Sequence, residues 1–211
     1  MPTYTVFPIE PPASPSQLAA YKTLRLTSLQ IDPQAFLSTY AHEAAFSEDV
    51  WRARLDSSSK RTLVASVLDA SHARGDVDTI DKEVGETGEW IGTARIVGPS
   101  DMPPCDLAAF KEAKVGANWE IYGLYAMWVH PAHRGKGVGA QLVGACLEWA
   151  RADVDIEFSD ENSGDFEKVV VLFVYTDNVA AHAFYSREGF TFLDGISVAG
   201  RAGERCMLAK V

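Results

Sequence analysis

Residues 120–150, "EIYGLYAMWVHPAHRGKGVGAQLVGACLEWA", run from an apolar stretch through a proline- and glycine-rich bend into a long helical pattern. Residues 120–130 are rich in β-formers and too apolar for a strand with one wet face, so they are expected inside a sheet. A helix is expected from about Gly137 to Ala152, and between the two Gly135, Gly137 and Gly139 follow Arg134 at alternate positions. A helix start carries unpaired N–H groups and a partial positive charge, so a bend that exposes amides there suits a phosphate. The glycines lack the Cβ atoms that would block an anion, and Arg134 and Lys136 add positive charge. A turn that needs glycine only for its shape is the competing reading.

Outward from this stretch the pattern alternates. Residues 3–9 predict a strand. Ser14, Pro15 and Gln17 then have the spacing of a capping box opening a helix, with Leu18, Tyr21, Leu24 and Leu29 as its apolar face. A second short helix is expected to start at Ser47, with Glu48 and Asp49 in its first turn. Residues 62–68 and 90–98 read as strands, and "VVVLFVY" (169–175) is the most apolar strand. A helix from Asn178 to about Glu188 should stop at Gly189, and residues 190–193 and 204–211 close the chain as strands. The class is therefore α/β or α+β: a mixed sheet with helices on both faces.

The 211 residues suffice for one substantial core, so a single domain is expected over 1–211. A formal charge of −10 argues against nucleic acid or an anionic membrane as a general partner. Fourteen of the 29 acids fall in residues 69–89 and 153–167, which read as two solvated acidic insertions. The start, "MPTYTVFPIEPP", has neither the basic head nor the apolar run of a secretory signal, and no segment approaches the roughly 18 apolar residues of a membrane span. A soluble, cytoplasmic protein is expected. Cys105, Cys146 and Cys206 are widely spaced without a CxxC pair, which fits reduced thiols.

Three phosphate motifs compete at the bend. A nucleotide P-loop needs Ser or Thr after Gly-Lys, and here Gly137 and Val138 follow Lys136. The dinucleotide pattern G-x-G-x-x-A is met by Gly135, Gly137 and Ala140, with Asp155 downstream, but that aspartate sits in an acidic loop instead of at a strand end. The third, R-x-x-G-x-G, is met by Arg134, Gly137 and Gly139. On this motif the chain resembles the GNAT superfamily of N-acetyltransferases: "VHPAHRGKGVG" from Val129 fits V-x-P-x-x-R-G-x-G-x-G, and "NVAAHAFYSREGF" (178–190) is similar to the family's N-x-x-A-x-x-F-Y-x-x-x-G-F element. A weaker likeness extends over residues 25–55.

The resemblance implies a single-domain GNAT-like fold with a mostly antiparallel sheet. It implies an acetyltransferase that moves the acetyl group of acetyl-CoA to an amine of a small molecule or peptide, by direct attack in a ternary complex. The pyrophosphate would lie on the amides of Arg134, Gly135, Lys136, Gly137, Val138 and Gly139, and the pantetheine arm along the backbone of Met127, Trp128 and Val129. Asn178 matches the family's side-chain contact to that arm, and an N-cap is its alternative role. Tyr185 matches the tyrosine that protonates the departing thiolate; taken alone, a tyrosine beside Phe184 on an amphipathic helix is more often a packing residue.

For a base, Glu120 is the nearest carboxylate candidate, with a water chain as the substitute. His130 and His133 read as loop histidines with no third metal ligand. The acceptor is expected near Phe36, Tyr40, Glu43 and Trp51, with Tyr125 close by on the central strand, a composition suited to a cationic or aromatic amine; helix packing is the equal alternative for these residues. A homodimer is compatible with this reading. The rivals are a CoA-binding sensor without turnover and a dinucleotide-binding protein.

Overall fold

The computed structural model describes residues 2–68, 88–153, 166–198 and 201–211. Most of both expected acidic insertions, residues 69–87 and 154–165, lies outside the described residues, as does Asp155. Strand β1 (Thr3–Ile9) leads to helix α1 (Pro15–Ile31). The capping box is formed as expected: Ser14 Oγ accepts from the Gln17 amide at 3.2 Å, and Gln17 Oε1 accepts from the Ser14 amide at 3.0 Å. Two donors that the helix start cannot pair internally are thereby satisfied. Helices α2 (Tyr40–Ala44) and α3 (Glu48–Ala53) begin after Thr39 and Ser47, whose hydroxyls accept from the amides of His42 and Val50.

The chain continues through β2 (Lys60–Leu68), β3 (Glu89–Val97), α4 (Pro104–Glu112), β4 (Trp119–Val129), α5 (Val138–Ala152), β5 (Glu167–Tyr175), α6 (Val179–Arg187), β6 (Thr191–Leu193) and β7 (Glu204–Lys210). These strands form a seven-stranded sheet in the order β1-β2-β3-β4-β5-β7-β6. Pairing is antiparallel for β1 with β2, β5 with β7 and β6 with β7, and parallel for β4 with β5. This is the mixed, mostly antiparallel arrangement expected of the sequence. The β4–β5 register runs only from Trp119↔Glu167 to Gly123↔Val171. The second half of β4 is therefore not taken up by β5.

Two elements were not anticipated. Helix α2 is a single turn, too short to show a period. Helix α4 opens with Pro104 in its first turn, a recognisable start, but buries an aspartate, Asp106, beside Ala109 and Phe110, and so breaks the apolar pattern that would reveal it.

The chain divides into two compact units, Met1–Arg95 with Ala126–Ala145, and Ile96–Tyr125 with Cys146–Val211. In the first, Leu18, Tyr21 and Leu24 of α1 pack with Trp51, Leu55, Val64 and Trp128. The next residue of β2, Ala65, points the other way: a Cβ placed on Gly92 would sit 3.4 Å from Ala65 and 3.3 Å from Leu142 of α5. Alternation along β2 thus puts α1 and α5 on opposite faces of the sheet. In the second unit Met102, Phe110, Ile121, Val169, Val171, Cys206 and Leu208 form the core. Full burial of each large apolar side chain contributes about 1.5–3 kcal/mol. Among the described residues no helix is long and apolar enough to cross a membrane.

One charged group lies deep in the first unit. Glu43 is 1% exposed; it accepts from Arg25 Nε at 3.0 Å and Nη2 at 2.7 Å, and from Arg54 Nη1 at 2.7 Å. Burial alone would raise its pKa, but the bonds and charges of Arg25 and Arg54 outweigh it and hold the carboxyl at about 2. A depressed carboxyl pKa stabilises the fold above the unfolded value, near 4.5, and that contribution disappears as pH falls toward 2. Glu43→Gln is therefore expected to cost about 3 kcal/mol at pH 7, since it leaves two guanidinium groups facing a neutral side chain. Urea titrations of both proteins between pH 7 and pH 3 should show the gap narrowing only below about pH 4.5.

Candidate functional site

The bend after β4 is built by local sequence. His130 opens a short 3₁₀ turn, Pro131–His133, by accepting at Nδ1 from the Ala132 amide (3.3 Å), and Arg134 leaves it in extended conformation. Gly135 and Gly137 then have φ of +72° and +81°. A Cβ on either would meet nothing within 4 Å. Glycine is required here for its left-handed backbone, which would strain any other residue by about 1–2 kcal/mol, and the surrounding space is open.

Helix α5 starts at Val138, and its first internal bond is Gln141 N to Gly137 O at 3.1 Å. Among the described residues no acceptor meets the N–H groups from Gly135 to Ala140. Left-handed residues at alternate positions followed by a helix start make an anion cradle of backbone amides.

The two cations of the bend are held elsewhere. Arg134 donates through Nε to Val129 O at 2.9 Å and through Nη2 to Asp32 Oδ2. The same Asp32 oxygen accepts from Trp128 Nε1 at 2.7 Å. Lys136 donates to Ala132 O at 3.0 Å. Arg134 therefore ties the bend to β4 and to the end of α1, and the cradle's attraction for anions rests on backbone groups. Asp32 has no signal in the sequence, since a carboxylate just after a helix reads as solvated.

Strand β4 supplies a second feature. His130 N donates to Ile91 O at 2.7 Å, while a Cβ on Gly92 would lie 3.1 Å from Trp128 O, so β3 and β4 run antiparallel. Ala126 has φ +52°, an uncommon conformation for a residue with a Cβ, and it interrupts the extended run just before Met127, Trp128 and Val129.

Two members of the expected acceptor face are packed inside the fold, as in the helix-packing alternative. Glu43 is enclosed between Arg25 and Arg54, and Trp51, 1% exposed, packs edge-on against Tyr21 and Phe46. Neither meets solvent, because the short helices α2 and α3 turn them inward onto α1. Phe36 is half-buried with the Arg25 guanidinium 4.3 Å over its ring, and Tyr40 is exposed. His133 bonds through Nδ1 to the Tyr4 hydroxyl at 3.1 Å. No group of three or more metal-ligating side chains occurs among the described residues.

In the second unit, Asn178 caps α6 by accepting at Oδ1 from the Ala181 amide at 3.0 Å. Tyr185, seven residues on, projects from the same face of that helix. It lies edge-on to Phe184 and Phe190. Burial, then the neighbouring Cys146, push its ionisation well above the ordinary tyrosine value. It therefore keeps its proton at neutral pH.

Glu120, near the start of β4, accepts from the Tyr122 hydroxyl at 2.8 Å. Tyr125 is engaged as well: its hydroxyl donates to Asp106 Oδ2 at 2.6 Å, and Asp106 is bridged to Arg201 at 2.9 Å. This trio joins α4, β4 and the connection before β7, and only the folded chain assembles it.

A family description, the acetyltransferase (GNAT) domain, matches residues 84–192, just over half the chain. Among solved structures, a GNAT-family acetyltransferase from Staphylococcus aureus Mu50 is similar at 12% identity, covering 99% of each chain with a TM-score of 0.56. Arabidopsis thaliana NAA60 in complex with acetyl-CoA is similar at 15% identity, 99% coverage of each chain and a TM-score of 0.54. Salmonella typhimurium yncA, solved with its cofactor acetyl-CoA, is similar at 18% identity, covering 99% of this chain and 94% of its own, with a TM-score of 0.56. At these identities the likeness is one of fold. No curated protein matches the chain by sequence.

Asp32→Ala removes the acceptor shared by Trp128 and Arg134, leaving a nearly buried indole N–H without a partner. The expected cost is about 1–3 kcal/mol in denaturant unfolding, with a displaced Trp128 indole resonance in a ¹⁵N–¹H spectrum. An unmoved indole signal would show that the Trp128 bond is not formed in solution.

Proposed function

The chain belongs to the GNAT acetyltransferase family, and from that premise we propose that it transfers an acetyl group from acetyl-CoA to an amine of a small molecule or peptide, by direct attack in a ternary complex. The observation that carries this reading is the run of unpaired amides from Gly135 to Ala140 at the start of α5. A pyrophosphate requires such a cradle, and a Cβ on Gly135 or Gly137 would project into open space. The half of β4 that β5 leaves unpaired, Met127–Val129, supports the strand-like binding of a pantetheine arm. Acetyl-CoA, once bound, supplies an activated acyl group and a thiolate leaving group.

Each residue then has a defined task. Backbone amides of the bend hold the diphosphate, with the partial charge of α5 behind them. Met127, Trp128 and Val129 orient the arm through main-chain groups. Asn178, already the cap of α6, has its side-chain N–H groups left to donate. Tyr185 keeps its proton at neutral pH and donates it to the departing sulfur. Glu120 retains the role of base only through water, as its carboxylate is engaged by Tyr122. We read the chain as one acetyltransferase domain over 1–211.

The dinucleotide alternative loses its support from topology, since that fold needs a parallel doubly wound sheet and this sheet is mostly antiparallel. The sensor alternative is answered by turnover.

Calorimetry is expected to give a micromolar or tighter Kd for acetyl-CoA and no heat with NAD. Gly137→Asp or Gly139→Asp should abolish that binding while circular dichroism shows the fold retained, because a carboxylate in the cradle repels the diphosphate. Binding unaffected by either substitution would remove the bend from the cofactor site.

Tyr185→Phe keeps the ring's packing, so acetyl-CoA affinity should hold while kcat falls toward the lower end of the roughly 10²- to 10⁴-fold typical of general acid catalysis. Full turnover in Tyr185→Phe would return that residue to packing.

A further inference from the structure

Among the described residues, the buried cluster around Tyr21 carries more positive charge than it neutralises. Arg25, Arg54 and Arg95 surround the Tyr21 hydroxyl, and Glu43 is the one carboxylate bonded to this group among the described residues. Glu43 pairs with Arg25 and Arg54, whereas Arg95, whose Nη2 donates to the Tyr21 hydroxyl at 3.1 Å, has no carboxylate partner among the described residues. Two guanidinium nitrogens, Arg25 Nη1 and Arg95 Nε, are buried without an acceptor among the described residues, and Arg25 is only 6% exposed. Burial would raise the Tyr21 pKa, but the cations of Arg95, Arg25 and Arg54 outweigh it and lower it. The surroundings of the Tyr21 hydroxyl favour a negative charge. Such uncompensated donors are costly in a folded interior unless a ligand meets them.

The cluster's place along the sheet gives the ligand a context. Carrying the β3–β4 register onward from Ile91 and Gly92 brings Arg95 level with Ala126, the left-handed residue of β4. Under the acetyl-transfer reading, an arm that starts at the bend and follows Val129, Trp128 and Met127 ends toward Ala126. Tyr21, Trp51 and Trp128 share one packed cluster there, with Phe36 against it and stacked on Arg25.

We propose that Arg95, with the Arg25 cation and the Tyr21 hydroxyl behind it, forms a carboxylate site for the acceptor, so that the amine substrate is an amino acid or short peptide carrying a free carboxylate. This rests on the acetyl-transfer reading and differs from the cationic or aromatic amine that the sequence suggested. With Glu43 enclosed, no other carboxylate is bonded to this group among the described residues to receive a polyamine. The acceptor's carboxylate accepts from Arg95, and its amine is left to face the thioester.

The experiment compares a panel of α-amino acids and dipeptides with their C-terminal amides as acceptors. The amides have the less basic amine and more free base at neutral pH, so reactivity alone would favour them. The wild type is expected to show kcat/KM at least tenfold higher for the carboxylates. Arg95→Gln should lower the carboxylate values on the order of tenfold to hundredfold and bring the ratio close to one, with Arg95→Lys intermediate and the acetyl-CoA Kd within about twofold.

Binding of the corresponding N-acetyl amino acids and N-acetyl amides, followed by tryptophan fluorescence, tests the same preference without turnover. A wild type that binds acetyl-CoA but shows no preference for the carboxylate in either measurement overturns the proposal. So does a preference that survives Arg95→Gln. Absence of acetyl-CoA binding would instead overturn the acetyl-transfer reading on which it rests.

Discussion

A single carboxylate oxygen, Asp32 Oδ2, accepts from both the Trp128 indole and the Arg134 guanidinium, and the candidate cofactor face of the first unit depends on it. It joins the end of α1 to the central strand and to the glycine bend. Arg134 completes the tie by donating to Val129 O. The cation that a sequence motif would assign to phosphate is used to hold the bend's shape, and the proposed diphosphate site is left to the amides. Those amides depend on left-handed glycines and a helix start, so the cradle is insensitive to most side chains but not to loss of Gly135 or Gly137.

Charge is distributed against the chain's overall sign. The formal charge is −10, yet the interior around Tyr21 gathers three arginines and one glutamate. Arg25 and Arg54 on Glu43 organise α1, α2 and α3, and leaving any of these partners alone would be costly in a low-dielectric interior. Arg95 stands apart from that account, which is why it directs attention to a ligand. In the second unit the corresponding network is satisfied: Asp106 receives Tyr125 and Arg201, tying α4 to β4 and to the segment before β7. Similar residue types thus play different parts, according to whether their partners are complete.

Much was legible in the sequence because it was local. The capping box at Ser14, the apolar face of α1, the strand–bend–helix of residues 120–150 and the stop at Gly189 each follow from residues within a few positions of one another, where propensity and period act directly. Helix α4 was not legible, since its buried Asp106 has a partner 95 residues away and only that partner makes its burial tolerable. The same holds for Glu43, which looked like a surface carboxylate until Arg25 and Arg54 closed on it, and for Trp51, which looked like a ligand-facing aromatic until α3 turned it onto Tyr21.

By itself, then, the sequence determined the class of fold, the place of the glycine bend and the family resemblance, all of them carried by short-range patterns. The tertiary structure alone decided which charges are neutralised: Asp32 meets Arg134 across 102 positions and Arg95 meets Tyr21 across 74. Whether a buried ion is structural or free for a ligand depends on partners that only folding brings within hydrogen-bonding distance, because desolvation makes each pairing count.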